Sequence, residues 1–415
     1  MKLIKDSLWS LLSVIIPAIL AIPVFSVIAK QVGLELFGIY TLSFAIIGYS
    51  SIFDLGLSRA LTREIAMNIG NNDLITQGTN TAFTLIVILS AIAGILVFTT
   101  SDLLVGLIGV SAQYYHDVLV GIKWLSASLI TLLINNIWWA YFEGFSQFKT
   151  LSIVKIGANV LIIVLPCLTI QLSPTFTMLM LGLFFARLIV LVGSYFWLNS
   201  QFKISLTYHK DSAKRLFNFG GWFTVSTVIG PIMVYFDRFM LSYVLGAKSV
   251  AFYTAPSELV VRMLSLPSAV GRTLFARLSN TPKGNEHIIY WLGMASLGLM
   301  TTIIAGPLFV FAEPLLVLWL GEAFRGESAK VFQILLIGFV INAIAQIPFA
   351  NLQAKGQAKL IAILHCVETI PYLILLYILT SKYGLIGVAW SWTLRILADT
   401  LILLYFNKLR GGLYE

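Results

Sequence analysis

Apolar residues in this chain do not alternate with polar ones. They run on for about twenty positions, stop at short polar clusters and begin again. That length is what an α-helix needs to cross a bilayer core. Twelve spans are predicted, over 8–29, 37–60, 81–103, 117–142, 151–172, 177–198, 219–245, 251–273, 287–312, 329–352, 359–381 and 385–407. Helices are required because a lipid-exposed backbone finds no water for its amides and carbonyls. A membrane barrel would instead show short segments of period two, and these runs lack that period. The first run follows Lys2 and Lys5, as a secretory signal would. Its length, its Pro17 and Pro23, and the spans behind it predict a retained helix.

Composition supports this pattern. Of 415 residues, 59% are hydrophobic and 11% charged, with a mean hydropathy of +0.92. A soluble domain carries about 25% charged residues. Soluble enzymes, DNA-binding modules and secreted disulfide scaffolds are therefore excluded. The net charge of +9 forms no basic tract with interleaved aromatics, so no nucleic-acid partner is expected. Cys167 and Cys366 lie in apolar runs, where a free thiol behaves as a small hydrophobe. Neither a disulfide, a metal site nor a cofactor is predicted.

Charge instead sets orientation. Lys2, Lys5, Arg59, Arg63, Lys149, Lys203, Lys210, Lys214, Arg215, Arg272, Arg277 and Lys283 fall on one set of connections, as do Lys355, Lys359, Lys408 and Arg410. The opposite set holds only Lys30, Lys248, Arg325, Lys330 and Lys382. Excess Lys and Arg mark cytoplasmic loops, so both termini are expected in the cytoplasm. The connections are too short for a folded catalytic domain, and the chain is not expected to be an enzyme.

The basic connection near 201–218 divides the chain into six-span lobes, 1–200 and 219–415. A shift of 213 aligns Gly33 with Gly246, Tyr40 with Tyr253, Thr41 with Thr254 and Arg59 with Arg272. A shift of 210 aligns Ala140 with Ala350, Gln147 with Gln357 and Lys149 with Lys359. The expected fold is thus an all-α polytopic membrane protein whose two six-helix lobes form a parallel pseudo-two-fold repeat.

Lys123, Lys155, Arg187, Arg238, Arg262 and Arg395 lie inside predicted spans. Each costs about 2.5–3.5 kcal/mol at a helix centre on insertion scales, so partner acids, water or an anionic ligand must offset them. Arg187, Arg262 and Arg395 fall near mid-span, whereas Lys123 and Lys155 lie closer to span ends. Glu258 with Arg262 and Arg395 with Asp399 are i,i+4 pairs that can neutralise one another. Arg187 has no acid nearby in sequence and requires a partner from another helix, water or a ligand. Asp54, Glu258, Glu368 and Asp399 are candidate coupling carboxylates, with a plain interfacial pairing to Arg59 or Arg63 the competing use of Asp54. His365 and Glu368 share a helix face, which suits a proton relay or an interhelical hydrogen bond. Pro17 and Pro231 interrupt corresponding spans and are candidate gating positions.

Two stretches carry a family resemblance. Val32-Gly33-Leu34-Glu35-Leu36-Phe37-Gly38-Ile39-Tyr40, with Phe53-Asp54-Leu55-Gly56-Leu57 behind it, resembles the bacterial polysaccharide-unit flippases of the Wzx type. So does Tyr235-Phe236-Asp237-Arg238-Phe239-Met240-Leu241, followed by Leu245-Gly246 and Phe252-Tyr253. The resemblance extends over the full length. It implies membership of the multidrug/oligosaccharidyl-lipid/polysaccharide exporter superfamily, with two six-helix lobes around a central cavity. It also implies transfer of an undecaprenyl-diphosphate-linked oligosaccharide, often an O-antigen unit for lipopolysaccharide, across the bacterial inner membrane. A polysaccharide polymerase and a chain-length regulator are the protein partners it implies, and inner-membrane lipids are its surroundings.

Lipid II flippases of that superfamily place arginines where Ser50 and Ser51 stand here, and have fourteen spans. A teichuronic-type substrate, a multidrug or ion antiport activity and, less readily, a membrane-embedded polymerase also compete with the oligosaccharide reading. No Gly-x-x-x-x-Gly-Lys-Ser/Thr loop occurs, so ATP is not the direct driver. The expected mechanism is secondary alternating access. Arg187, Arg262 and Arg395, assisted by Arg238, Lys155 and Lys123, are the candidate diphosphate ligands.

Overall fold

The computed structural model describes residues 2–201, 204–268, 270, 286–355 and 357–410. Arg272, Arg277, Lys283 and Lys203 of the orientation argument lie outside the described residues. All regular structure among the described residues is helical. Among the described residues, eight helices are long and apolar enough to cross a membrane. The chain forms two compact units, Met1–Phe236 and Asp237–Glu415.

The first unit begins with α1 (Lys2–Tyr49), which covers the first predicted span and most of the second. Its helical geometry fails only at Gly33, where φ is 82° and ψ 168°. That backbone conformation is essentially reserved for glycine, so one residue turns the chain in place of a loop between the two spans. Pro17 and Pro23 lie inside α1 without ending it. A 3₁₀ turn over Ser50–Asp54 leads through left-handed Leu55 and Gly56 into the short amphipathic α2 (Leu57–Met67).

Next come α3 (Asn72–Thr99), α4 (Ser101–Ile108), α5 (Tyr115–Gly144), α6 (Phe148–Thr169) and α7 (Phe176–Gln201). The Asn71 side chain caps α3 by accepting the Leu74 N–H. Asp117 of α5 accepts the N–H groups of Phe176 and Thr177 at 2.7 and 3.0 Å, which places a carboxylate at the positive end of α7. Along α3, Gly78, Ala82, Ile86, Ser90 and Ala93 are buried, whereas Ile88, Ile92, Ile95 and Leu96 are exposed. Apart from isoleucines such as Ile86, the inward face carries small residues and the outward face large apolar ones, as helix packing within lipid favours. A core of Leu61, Ile65, Leu133, Ile137, Trp138 and Phe142 ties α2 to α5. The chain then enters α8 (Lys210–Leu245), whose last nine residues belong to the second unit.

The second unit continues with α9 (Ala247–Met263), α10 (Glu286–Val310), α11 (Ala312–Leu320), α12 (Glu327–Ala354) and α13 (Ala358–Arg410). Helix α12 is central and packs on α9, α10, α11 and α13. Helix α13 covers the last two predicted spans and breaks at Gly384 (φ 58°, ψ −133°). Gly246, ahead of α9, has φ 83° and ψ 161°, close to the values at Gly33.

Candidate functional site

A cluster of ionisable side chains lies in the second unit, on α8, α9 and α13. Asp237 and Arg238 are adjacent and almost wholly buried. Asp237 accepts the Tyr253 hydroxyl at 2.5 Å and the Arg238 backbone N–H at 2.7 Å. Arg238 sends its Nη2 to Glu258 Oε1 at 2.8 Å. The second oxygen of Glu258 stands 4.0 Å from Arg262 Nε, and 29% of the Arg262 side chain is exposed. The i,i+4 pair expected from the sequence thus sits at the limit of contact, because a closer guanidinium from α8 occupies Glu258.

A second group lies along α13. Arg395 Nη1 is 3.5 Å from Glu368 Oε1, and its guanidinium stands over the Tyr372 ring at 5.3 Å. Asp399, its expected i,i+4 partner, has its Oδ1 4.0 Å from His365 Nε2. The helix break at Gly384 lets the segments on either side of it present these groups to one another. One ligand atom each from His365, Glu368 and Asp399 lies within 4.8 Å of the others, close enough to share a cation or a proton. The two groups are in electrostatic contact through Asp237 with Arg395 and through Tyr253 with Tyr372.

In the first unit the predicted residues are dispersed. Arg187 is 4% exposed and donates from Nη1 to the Ser128 hydroxyl at 2.8 Å and carbonyl at 3.3 Å. It therefore has the interhelical partner its sequence context requires, a hydroxyl and a carbonyl of α5. Lys155 lies over the Trp139 ring at 5.3 Å and Lys123 over the Phe98 ring at 5.4 Å. Asp54 accepts the Ser58 hydroxyl at 2.6 Å and the Ser58 N–H at 3.3 Å, while Arg59 turns to Glu143 at 3.3 Å. Asp54 thus anchors the start of α2. Pro231 borders a cavity of about 340 Å³ with Gly48, Ser51, Asn136 and Tyr235.

Tyr253 and Tyr372 join the site without a motif that marks them as ligands. The sequence does hold a signal for Tyr253, since a shift of 213 aligns it with Tyr40, and both side chains are buried. Nothing in the local sequence distinguishes Tyr372.

The sequence profile of a family described as polysaccharide biosynthesis protein matches residues 3–282. A putative O-antigen transporter of Shigella flexneri is 37% identical over 419 residues, covering the whole of both chains. The fold is similar to that of a multidrug resistance MATE family transporter of the MOP superfamily, solved in an inward-facing conformation. That likeness has a TM-score of 0.82 and 16% identity, covering 95% of this chain and 94% of the MATE chain. The lipid II flippase MurJ, in an inward closed conformation, is similar at a TM-score of 0.79 and 16% identity, covering 99% of this chain and 89% of MurJ.

Proposed function

The chain belongs to the polysaccharide biosynthesis protein family, and from that premise we propose that it is a flippase for lipid-linked oligosaccharides. Its cargo in this reading is an undecaprenyl-diphosphate-linked repeat unit, moved from the cytoplasmic to the periplasmic leaflet of the bacterial inner membrane. The carrying observation is the linked set of carboxylates and guanidiniums inside the apolar helices of the second unit. Ionisable groups at that depth are costly and are kept where an ion or a charged substrate passes.

The distances assign roles. A well-made N–H···O bond spans about 2.7–3.2 Å. Arg238 and Glu258 meet that range, whereas Arg262 and Arg395 stand 4.0 and 3.5 Å from their carboxylates. Those two are the exchangeable guanidiniums. A diphosphate competes for them with forked, charge-assisted hydrogen bonds that a loosely held carboxylate does not match. When phosphate takes Arg395, Glu368 is left beside Asp399 and His365, where a proton or cation restores the balance. Arg238 fixes Glu258, Arg187 holds α7 to α5, and Lys155 lies on Trp139; these are supporting positions.

The architecture in this reading is twelve spans in two six-helix lobes, with both termini in the cytoplasm. The breaks at Gly33 and Gly384 divide α1 and α13 into two spans each. Two correspondences support a parallel repeat. Gly33 and Gly246 share one backbone conformation. The Gln147 N–H donates to the Phe142 carbonyl as that of Gln357 does to Leu352, both at 2.9 Å.

The test is a strain deleted for this gene, with the accumulated lipid-linked intermediate measured by mass spectrometry. The wild-type gene is expected to clear the intermediate, and Arg262→Gln with Arg395→Gln to leave it accumulated. A deletion that accumulates no lipid-linked glycan would overturn the proposal.

A further inference from the structure

We infer that the groove between α3 and α5 is a binding site for an anionic phospholipid, with Lys123 holding the phosphate and one acyl chain lying along Gly94 and Ile130. The groove has a volume of about 490 Å³ and is lined almost wholly by apolar groups, among them Phe98, Trp124, Ala127 and Ile130. Its one charged lining residue is Lys123. That ammonium stands over the Phe98 ring at 5.4 Å and, among the described residues, has no carboxylate partner.

Depth fits an amphiphile. Phe98 is the penultimate residue of α3, so the ammonium lies level with that helix's end. Beside it, Leu103 and Leu107 of the short α4 are exposed, as on a helix resting in a membrane interface. Lys123 lies eight residues inside α5, and its stem reaches back toward the interface. From there the groove descends: Gly94 is one turn deeper on α3 and Ile130 about two turns deeper on α5. At Gly94 a Cβ would come within 2.7 Å of Ile130, so this glycine sets the groove's floor. The exposed Ile95 and Phe98 form its outer wall.

A cation at headgroup level above an apolar trough is complementary to a diacyl phosphate ester. A zwitterionic phospholipid offers a phosphate too but brings its own cation beside it, so only an anionic lipid cancels the net charge of the ammonium. This assignment takes Lys123 out of the group of candidate diphosphate ligands and gives it a lipid ligand at the protein's flank.

The test uses the full-length protein in detergent, with native mass spectrometry reading retained phosphatidylglycerol and phosphatidylcholine of matched chains. Wild type is expected to prefer phosphatidylglycerol. Lys123→Gln should lower its retention about fivefold without changing phosphatidylcholine, and Lys123→Arg should keep the preference. Ala127→Phe, which fills the trough and spares the cation, should lower retention of both lipids. Lys382→Gln removes a similar cation, 5.3 Å over Tyr383, and should change nothing. Equal retention by wild type and Lys123→Gln would overturn the assignment. So would undecaprenyl phosphate displacing phosphatidylglycerol at equal concentration, which would give the groove to a polyprenyl tail.

Discussion

Arg395 and Glu368 show what one ion pair does at membrane depth. Their side chains are 16% and 10% exposed, and removing Arg395 leaves Glu368 without the guanidinium that faces it. Breaking such a buried pair costs roughly 3–5 kcal/mol, while replacing both partners with apolar residues is often neutral. Arg395→Ala should therefore lower the Tm of the purified protein, and Arg395→Met with Glu368→Leu should restore the Tm without restoring transport. A double variant that transports would remove the pair from the mechanism. Arg187 calls for a different experiment, because its partners are a hydroxyl and a carbonyl. Arg187→Met should cost about 1.5–3 kcal/mol, the value of a hydrogen bond to a charged group, read as a fall in Tm. An unchanged Tm would free Arg187 from its packing role. The need for a partner at Arg187 is legible in the sequence. Its identity is not, because Ser128 lies 59 residues away and only helix packing makes the two neighbours. Glu258 shows the converse: its i,i+4 partner is legible, yet a shorter contact from α8 prevails.

Among the elements, single glycines carry much of the geometry. Gly33 and Gly246 adopt a backbone conformation that any side chain strains, so Gly33→Ala and Gly246→Ala should each cost about 1–3 kcal/mol, measured by thermal unfolding. Gly48 lies against Tyr235, and a Cβ there would come within 2.2 Å of that ring. Gly48→Ala should impair folding or transport, and Tyr235→Leu in the same chain should recover part of the loss. No recovery would show that the close approach is not the constraint. Between α11 and α12, the exposed Arg325 holds Glu322 at 2.7 Å and depresses its carboxyl below the ordinary range. The folded state of that group favours the charged form, so its contribution is present near neutrality and lost as pH falls through the depressed value. Being fully exposed it is screened, and Arg325→Ala should leave the Tm at pH 7 unchanged. The long apolar helices are legible because runs of twenty apolar residues have few uses outside a membrane. Their boundaries are less so: the apolar run over 37–60 predicts one span, and the structure gives the end of α1, a 3₁₀ turn and the amphipathic α2. The turn depends on Leu55 adopting φ 46°, which its residue type does not advertise.

For the whole molecule, the proposed repeat predicts that corresponding positions in the two halves respond alike, as the paired glycine substitutions will show. The energetics of the proposed function follow from the proposed cargo. A diphosphate carries about two negative charges, and moving each through 100 mV is worth about 2.3 kcal/mol. A cytoplasm-negative potential therefore drives it outward. The most direct measurement is the flipping rate of an undecaprenyl-diphosphate-linked glycan in proteoliposomes of the purified protein, with the potential set by K⁺ and valinomycin. The rate is expected to rise with the favourable potential or with an imposed ion gradient, and to vanish in Arg262→Gln with Arg395→Gln. A rate indifferent to potential, to ion gradients and to both arginines would contradict a charge-guided flippase.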